Sequence, residues 1–319
     1  MTKVIDIIRA EHQDGDVGIE IEMEGENLPK RGTALWHVEH DGSLRGEDNA
    51  EYVLRKPVPF ADVELALEEI VEDLSDSTLL PSTRTGVHVH VNVQQLDLVQ
   101  LATFITLYLV VEDLLLEAAG EHRQSNLFCL KGCEAEYMVQ HAAKFFETGD
   151  LDYIANDSIR YSGINLAAIA KYGSVEFRSL RTPDDIMSIA KWVRAFKNMK
   201  DLSVERYKNP IDVLTGFSEF DGVLFLERVL PEYAKELMQV DGWESKLKRG
   251  MRSAQDLAFS QDWTNVTARE VNRPAPPAPP IDMKNFVPED HDDLMALIER
   301  YNHIPRDHII EVYLNKGRG

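Results

Sequence analysis

The sequence predicts an α+β fold built around a mostly antiparallel sheet, and three observations predict it. Runs with strict two-residue alternation recur at residues 18–24, 86–93 and 174–180. Helical periodicity separates and follows them. The connections between several strands are too short for the right-handed crossovers that parallel neighbours need.

Residues 2–11 predict a short amphipathic helix. In the next run, Gly18 to Glu24, alternation sends Glu20, Glu22 and Glu24 to one face and Ile19, Ile21 and Met23 to the other. Three like charges on one sheet face repel, and glutamate is a poor strand former. Either a divalent cation such as Mg²⁺ or Mn²⁺ offsets them, or the strand is an edge whose acidic face is solvated. Residues 36–38 and 50–54 give two more strands, with the turn Asp41-Gly42-Ser43 between them. Pro59 opens a helix to about residue 74, with Val63, Leu67, Ile70, Val71 and Leu74 on its apolar face.

Residues 86–93 alternate as a strand, and 96–119 form a long helix apolar enough to be largely buried. A loop over 123–132, a helix over 134–147 and strands over 161–167 and 174–180 follow. Pro183 begins a helix to about Tyr207, and beyond Pro210 the chain is helical. Residues 1–272 read as the catalytic domain, with the motifs in 15–200 and a helical extension over 201–272. Residues 273–280 form a stiff Pro-rich linker. The acidic tail, 281–319, either docks back, serves a protein partner or mediates self-association.

Composition narrows the function. The 319 residues carry a formal charge of −21, which disfavours direct binding to nucleic acid or anionic membrane. Cys129 and Cys133 are the only cysteines, too few for a disulfide framework or a structural zinc site of their own. The longest apolar run, 98–111, is cut by Glu112-Asp113 and reads as too short to span a bilayer. A cytoplasmic protein is expected.

Three strands carry candidate chemistry besides the glutamate strand. His88, His90 and Asn92 share one face opposite Val87, Val89, Val91 and Val93, so the polar face points to a site, either as metal ligands or as satisfied histidines. Glu176 and Arg178 face one way while Val175, Phe177 and Ser179 face the other. That pair suits a metal ligand beside an anion clamp, or a plain ion pair. Glu51 sits on an otherwise apolar strand. Tyr161, Asn165, Asn126, Arg84, Arg123 and Lys131 lie on or beside strands, where anion and substrate contacts often sit. One metal-rich concave sheet face explains all four strands at once.

In order and spacing these motifs resemble the amidoligase family of glutamine synthetase-like carboxylate–amine ligases, related to glutamate–cysteine ligases and frequent in bacteriophages and bacteria. The matching elements are Gly18-Ile19-Glu20-Ile21-Glu22, Trp36 to Leu44, Glu51, Thr85 to Val91, Arg123 with Asn126, Tyr161 to Asn165 and Gly173 to Arg178. The resemblance covers about residues 15–200. It implies a glutamine synthetase-like sheet with a concave metal- and ATP-binding face and helices on the other side. It also implies ATP-dependent amide formation through an acyl phosphate, with two or three Mg²⁺ ions (Mn²⁺ substituting) on Glu20, Glu22, Glu51, His88 and Glu176. By the same resemblance Arg84, His90, Arg178 and Lys131 contact ATP, and Arg178, Arg123 and Asp41 serve catalysis. Tyr161, Asn165 and Asn126 contact substrate, a small-molecule or peptide carboxylate joined to an amine. The competing readings are a metal-dependent hydrolase using His88 and His90, and a non-catalytic protein retaining the fold. A phage-encoded member would act in the host cytoplasm.

Overall fold

The computed structural model describes residues 2–8, 10–40, 42, 44–120, 130–131, 136–155, 162–219 and 222–264. Seven strands form one sheet: β1 (Val17–Glu26), β2 (Trp36–Glu39), β3 (Asn49–Leu54), β4 (Thr78–Leu79), β5 (Gly86–Asn92), β6 (Ile164–Asn165) and β7 (Ser174–Arg181). The order is β2-β3-β1-β5-β7-β6, with β4 paired to the far end of β1. Every strand pairing is antiparallel, as the short connections require.

Alternation divides the sheet into two unlike faces. Ile19, Ile21, Met23, Val87, Val89, Val91, Val175 and Phe177 are buried on one. Against it packs α3 (Leu98–Ala118), whose Phe104 and Tyr108 rings meet Phe177. On its other side Phe177 stacks on Phe196, centroids 3.9 Å apart, from α6 (Ile189–Glu205). Helix α3 starts at a capping box, Asp97 accepting from the Gln100 amide and Gln100 reaching back. It is long and apolar enough to cross a membrane by length and composition, yet 94% of its apolar window is buried within the fold. The apolar run ends at Glu112-Asp113 but the helix continues through both to Ala118, with Asp113 paired to Lys131 and Arg249.

The remaining helices are α1 (Val4–Ile7), α2 (Val63–Asp73), α4 (Glu136–Thr148), α5 (Ala167–Tyr172), α7 (Pro210–Glu219), α8 (Gly222–Val229), α9 (Ala234–Leu237) and α10 (Trp243–Ala258). Several differ from the sequence reading. The amino-terminal helix is a single turn. Of the strand expected over 161–167 only β6 forms, because Ala167, Ala168 and Ala170 favour α5. The helix expected from Pro183 begins with a 3-10 turn at Ile186, where the Asp185 side chain caps the Met187 amide. Val71, assigned to the core face of α2, is 39% exposed. The turn residues Asp41 and Ser43, both cysteines, the linker 273–280 and the tail 281–319 lie outside the described residues.

Candidate metal centre

The register of five strands decides which polar side chains meet. Glu22 lies directly opposite Glu51, and Glu20 opposite His88. His90 pairs with Glu176, which pairs in turn with Asn165. Two sets of donor atoms result, Glu20/His88/Glu176 and Glu22/Glu51/His88, each with its atoms within 4.8 Å of one another. All five residues expected as metal ligands are therefore brought together, with His88 shared between the sets. Glu22, His88 and Glu176 are buried. Facing carboxylates such as Glu22 and Glu51 repel and cost stability unless a cation lies between them.

Hydrogen bonds set the protonation of the group. His88 Nδ1 shares a hydrogen bond with Glu20 Oε2 at 2.9 Å. His90 Nε2 is 3.3 Å from Glu20 Oε1 without being aligned to bond it, while its Nδ1 bonds Ser174 Oγ at 3.2 Å. Burial opposes ionisation of Glu20, but the His88 bond and the His90 ring outweigh it and hold the carboxyl well below its usual range. Glu176 likewise stays ionised against burial, through His90, Arg178 and His88. Burial lowers the His88 pKa despite the Glu20 bond. For His90 the Glu20 and Glu176 carboxylates overcome burial and raise it. Ionised carboxylates around a neutral imidazole are the donor set a hard divalent cation needs, so these residues fit Mg²⁺ or Mn²⁺.

A β-bulge shapes the arginine side. Val87 pairs with Leu180 but Val89 with Phe177, so Arg178 and Ser179 together oppose His88. Arg178 Nη1 pairs with Glu176 Oε1, and its buried Nε has no hydrogen-bond partner among the described residues. Asn165 does not face a substrate space. Its Nδ2 donates to Glu176 Oε2 at 2.6 Å and its Oδ1 accepts from the Ala167 amide, which orients the Glu176 carboxylate.

Other expected contacts stand elsewhere. Lys131 reaches Asp113 in the helical layer, 2.9 Å away, and does not line the cavity over the sheet. Arg84 is exposed and lies near Glu24, whose Oε1 accepts from the Arg45 and Gly46 amides. Asp41, Arg123, Asn126 and Tyr161 lie outside the described residues.

A cavity of about 360 Å³ adjoins the donor sets over Glu20, Glu51, His90, Asn92, Glu39 and Tyr172, large enough for a small ligand. Its rim also holds His37, bonded to Glu39 at 2.7 Å, and Lys56. The sequence reading missed these. The signal was the two-residue spacing of His37 and Glu39 beside Trp36 and Val38. Tyr172 sits edge-on to His90 at the rim. It is fixed there by Gly173, whose φ of +71° ends α5 and whose missing side chain leaves room for Gln94.

The family model described as "Putative amidoligase enzyme" matches residues 30–194, just over half of the 319 residues. The chain belongs to the amidoligase family. Membership places it among enzymes of the ligase class. No curated protein matches it. The matched amidoligase region contains Glu51, His88 and Glu176 but begins after β1, so Glu20 and Glu22 join the site from outside it. Helices α7 to α10 also lie beyond it.

Proposed function

We propose that this amidoligase is an ATP- and Mg²⁺-dependent carboxylate–amine ligase of the glutamine synthetase-like type. The observation that carries the reading is the pair of donor sets sharing His88, built from strands that the chain separates by more than 150 residues between Glu20 and Glu176. Glu20, Glu22, Glu51, His88 and Glu176 would hold the ions. When bound, these would act as Lewis acids that offset phosphate charge.

The chain's own residues supply the rest. Arg178, beside Glu176, stabilises charge on the transferring phosphoryl group, where catalysis is mostly positioning and electrostatics. His90, whose ring lies beside Glu20 and Glu176 on the same face, would add a second contact to the phosphate oxygens. A carboxylate oxygen of the acid attacks the γ-phosphorus, the bond to the β–γ bridging oxygen breaks, and ADP leaves. The amine, having lost a proton, then attacks the acyl carbon of the acyl phosphate. The C–O bond to phosphate breaks, and the second amine proton leaves as the amide forms.

His90 belongs to neither donor set among the described residues, which disfavours the hydrolase that would use both histidines. The test incubates the full-length protein with ATP, Mg²⁺, hydroxylamine and a panel of amino acids and peptides. A hydroxamate accompanied by stoichiometric ADP is expected. Amide or ester cleavage without nucleotide would overturn the ligase.

A further inference from the structure

Behind Arg178 the sheet continues by single residues. The Arg178 amide donates to the Gly163 carbonyl at 2.9 Å, and the Gly163 amide donates to the Leu130 carbonyl at 2.8 Å. Leu130 forms a parallel bridge with Ser162. The next residue, Lys131, places its Nζ 2.9 Å from Asp113 Oδ1. The other oxygen of Asp113 accepts from Arg249 Nε of α10 at 2.7 Å. Asp113 is buried, so removing its charge partners leaves an uncompensated carboxylate and not merely a lost surface pair.

Two glycines fix this chain of contacts. A side chain at Gly250 would run into the Val110 and Leu109 carbonyls, so α10 crosses α3 backbone to backbone, which brings Arg249 beside Asp113. A Cβ at Gly163 would come within 2.8 Å of Ser179 Oγ and 3.0 Å of Tyr108 Oη, which are bonded to each other at 2.7 Å beneath the bulge. The bulged segment of β7 is thus held from the helical side by hydrogen-bonded groups, and Asp113 ties that support to α10.

We infer that Asp113, with Arg249, is a positioning residue that sets the placement of Arg178 and Glu176 through Lys131, Leu130 and Gly163. The site of this amidoligase then depends on a helix outside the matched family region. The inference rests on the reading that Arg178 and Glu176 work at the site, and its test has an arm that does not. Site-resolved amide hydrogen exchange on the full-length, metal-free protein compares wild type with Asp113→Asn and Arg249→Met. Exchange at the Arg178 and Gly163 amides should accelerate about tenfold in Asp113→Asn and about threefold in Arg249→Met, while Ile21 and Val89 stay unchanged.

Mn²⁺ affinity should fall about tenfold in Asp113→Asn. In nucleotide turnover, kcat should fall about tenfold with KM changing less than about twofold, and combining Asp113→Asn with Arg178→Met should add nothing to Arg178→Met alone. Arg249→Lys should restore the Arg249→Met loss. Wild-type exchange at both amides in Asp113→Asn overturns the inference, as does full additivity with Arg178→Met. Should Asp113→Asn fail to fold, wild-type exchange in Arg249→Met, whose side chain is 57% exposed, decides against it. A protein that turns over no nucleotide would defeat the ligase reading and leave the exchange result to judge the positioning.

Discussion

Glu22 and Glu24 stand two residues apart on the same face of β1, and the fold treats them oppositely. Glu24 accepts from the amides of Arg45 and Gly46. Burial is the largest single influence on its pKa and pushes it up, but these bonds together with Ser82 and Arg84 outweigh it and hold the carboxyl low. Glu22 is buried opposite a second carboxylate, Glu51. A carboxylate that clips a loop carries its donors with it. The other faces both a carboxylate, Glu51, and the His88 ring, as one donor of a candidate metal set. Identical periodicity therefore hides two different uses of the same residue type.

The widest separation between these two uses should come from neutral isosteres in the donor sets. Glu22→Gln and Glu176→Gln should each lower Mg²⁺-dependent nucleotide turnover by about 10³-fold or more. The melting temperature should hold or rise in Glu22→Gln, where repulsion from Glu51 is relieved, and fall in Glu176→Gln, which leaves Arg178 without its carboxylate. Steady-state kinetics with thermal unfolding checks both halves, and wild-type turnover in both variants would sink the assignment. Next in size is ion binding itself. Mg²⁺ or Mn²⁺ at about 100 times its dissociation constant should stabilise wild type by about 2.7 kcal/mol. Calorimetry should find that gain absent in Glu22→Gln and kept in Glu24→Gln.

A smaller effect is expected behind the site. Asn165→Ala frees one oxygen of Glu176 and should weaken Mn²⁺ binding about 10- to 100-fold, measurable by titration calorimetry. Least of all, Glu24→Gln should leave turnover within about twofold while costing about 1 kcal/mol from the loop clip, read from denaturant unfolding. Were Glu24→Gln as damaging to turnover as Glu22→Gln, the contrast between the two glutamates would collapse.

Much of this site could be read from residue order because a strand's faces are fixed by a period of two. That rule alone separated Glu20 and Glu22 from Ile19 and Ile21, His88 from Val89, and Glu176 from Phe177. Pairing register was not legible. That Glu22 meets Glu51 and His90 meets Glu176 depends on contacts distant in sequence and on the extra residue at Arg178-Ser179. Lys131 is a plain loop lysine until Asp113, in a helix that looked wholly apolar in purpose, draws it inward. Asn165 was legible as a polar group near the site but not as the partner of Glu176, since its direction follows from β6 being only two residues long. Short alanine-rich stretches mislead in the other direction. The run after Asn165 alternates weakly enough to pass for a strand, and the helix propensity of its alanines wins there.

The turn at Gly173 has a consequence for how this enzyme can vary. Only glycine satisfies both its backbone geometry and the close approach of Gln94, so the wall carrying Tyr172 cannot be re-aimed by changing the hinge beneath it. New ligand preferences along that wall would have to come from exchanging Tyr172 itself, with the scaffold standing still.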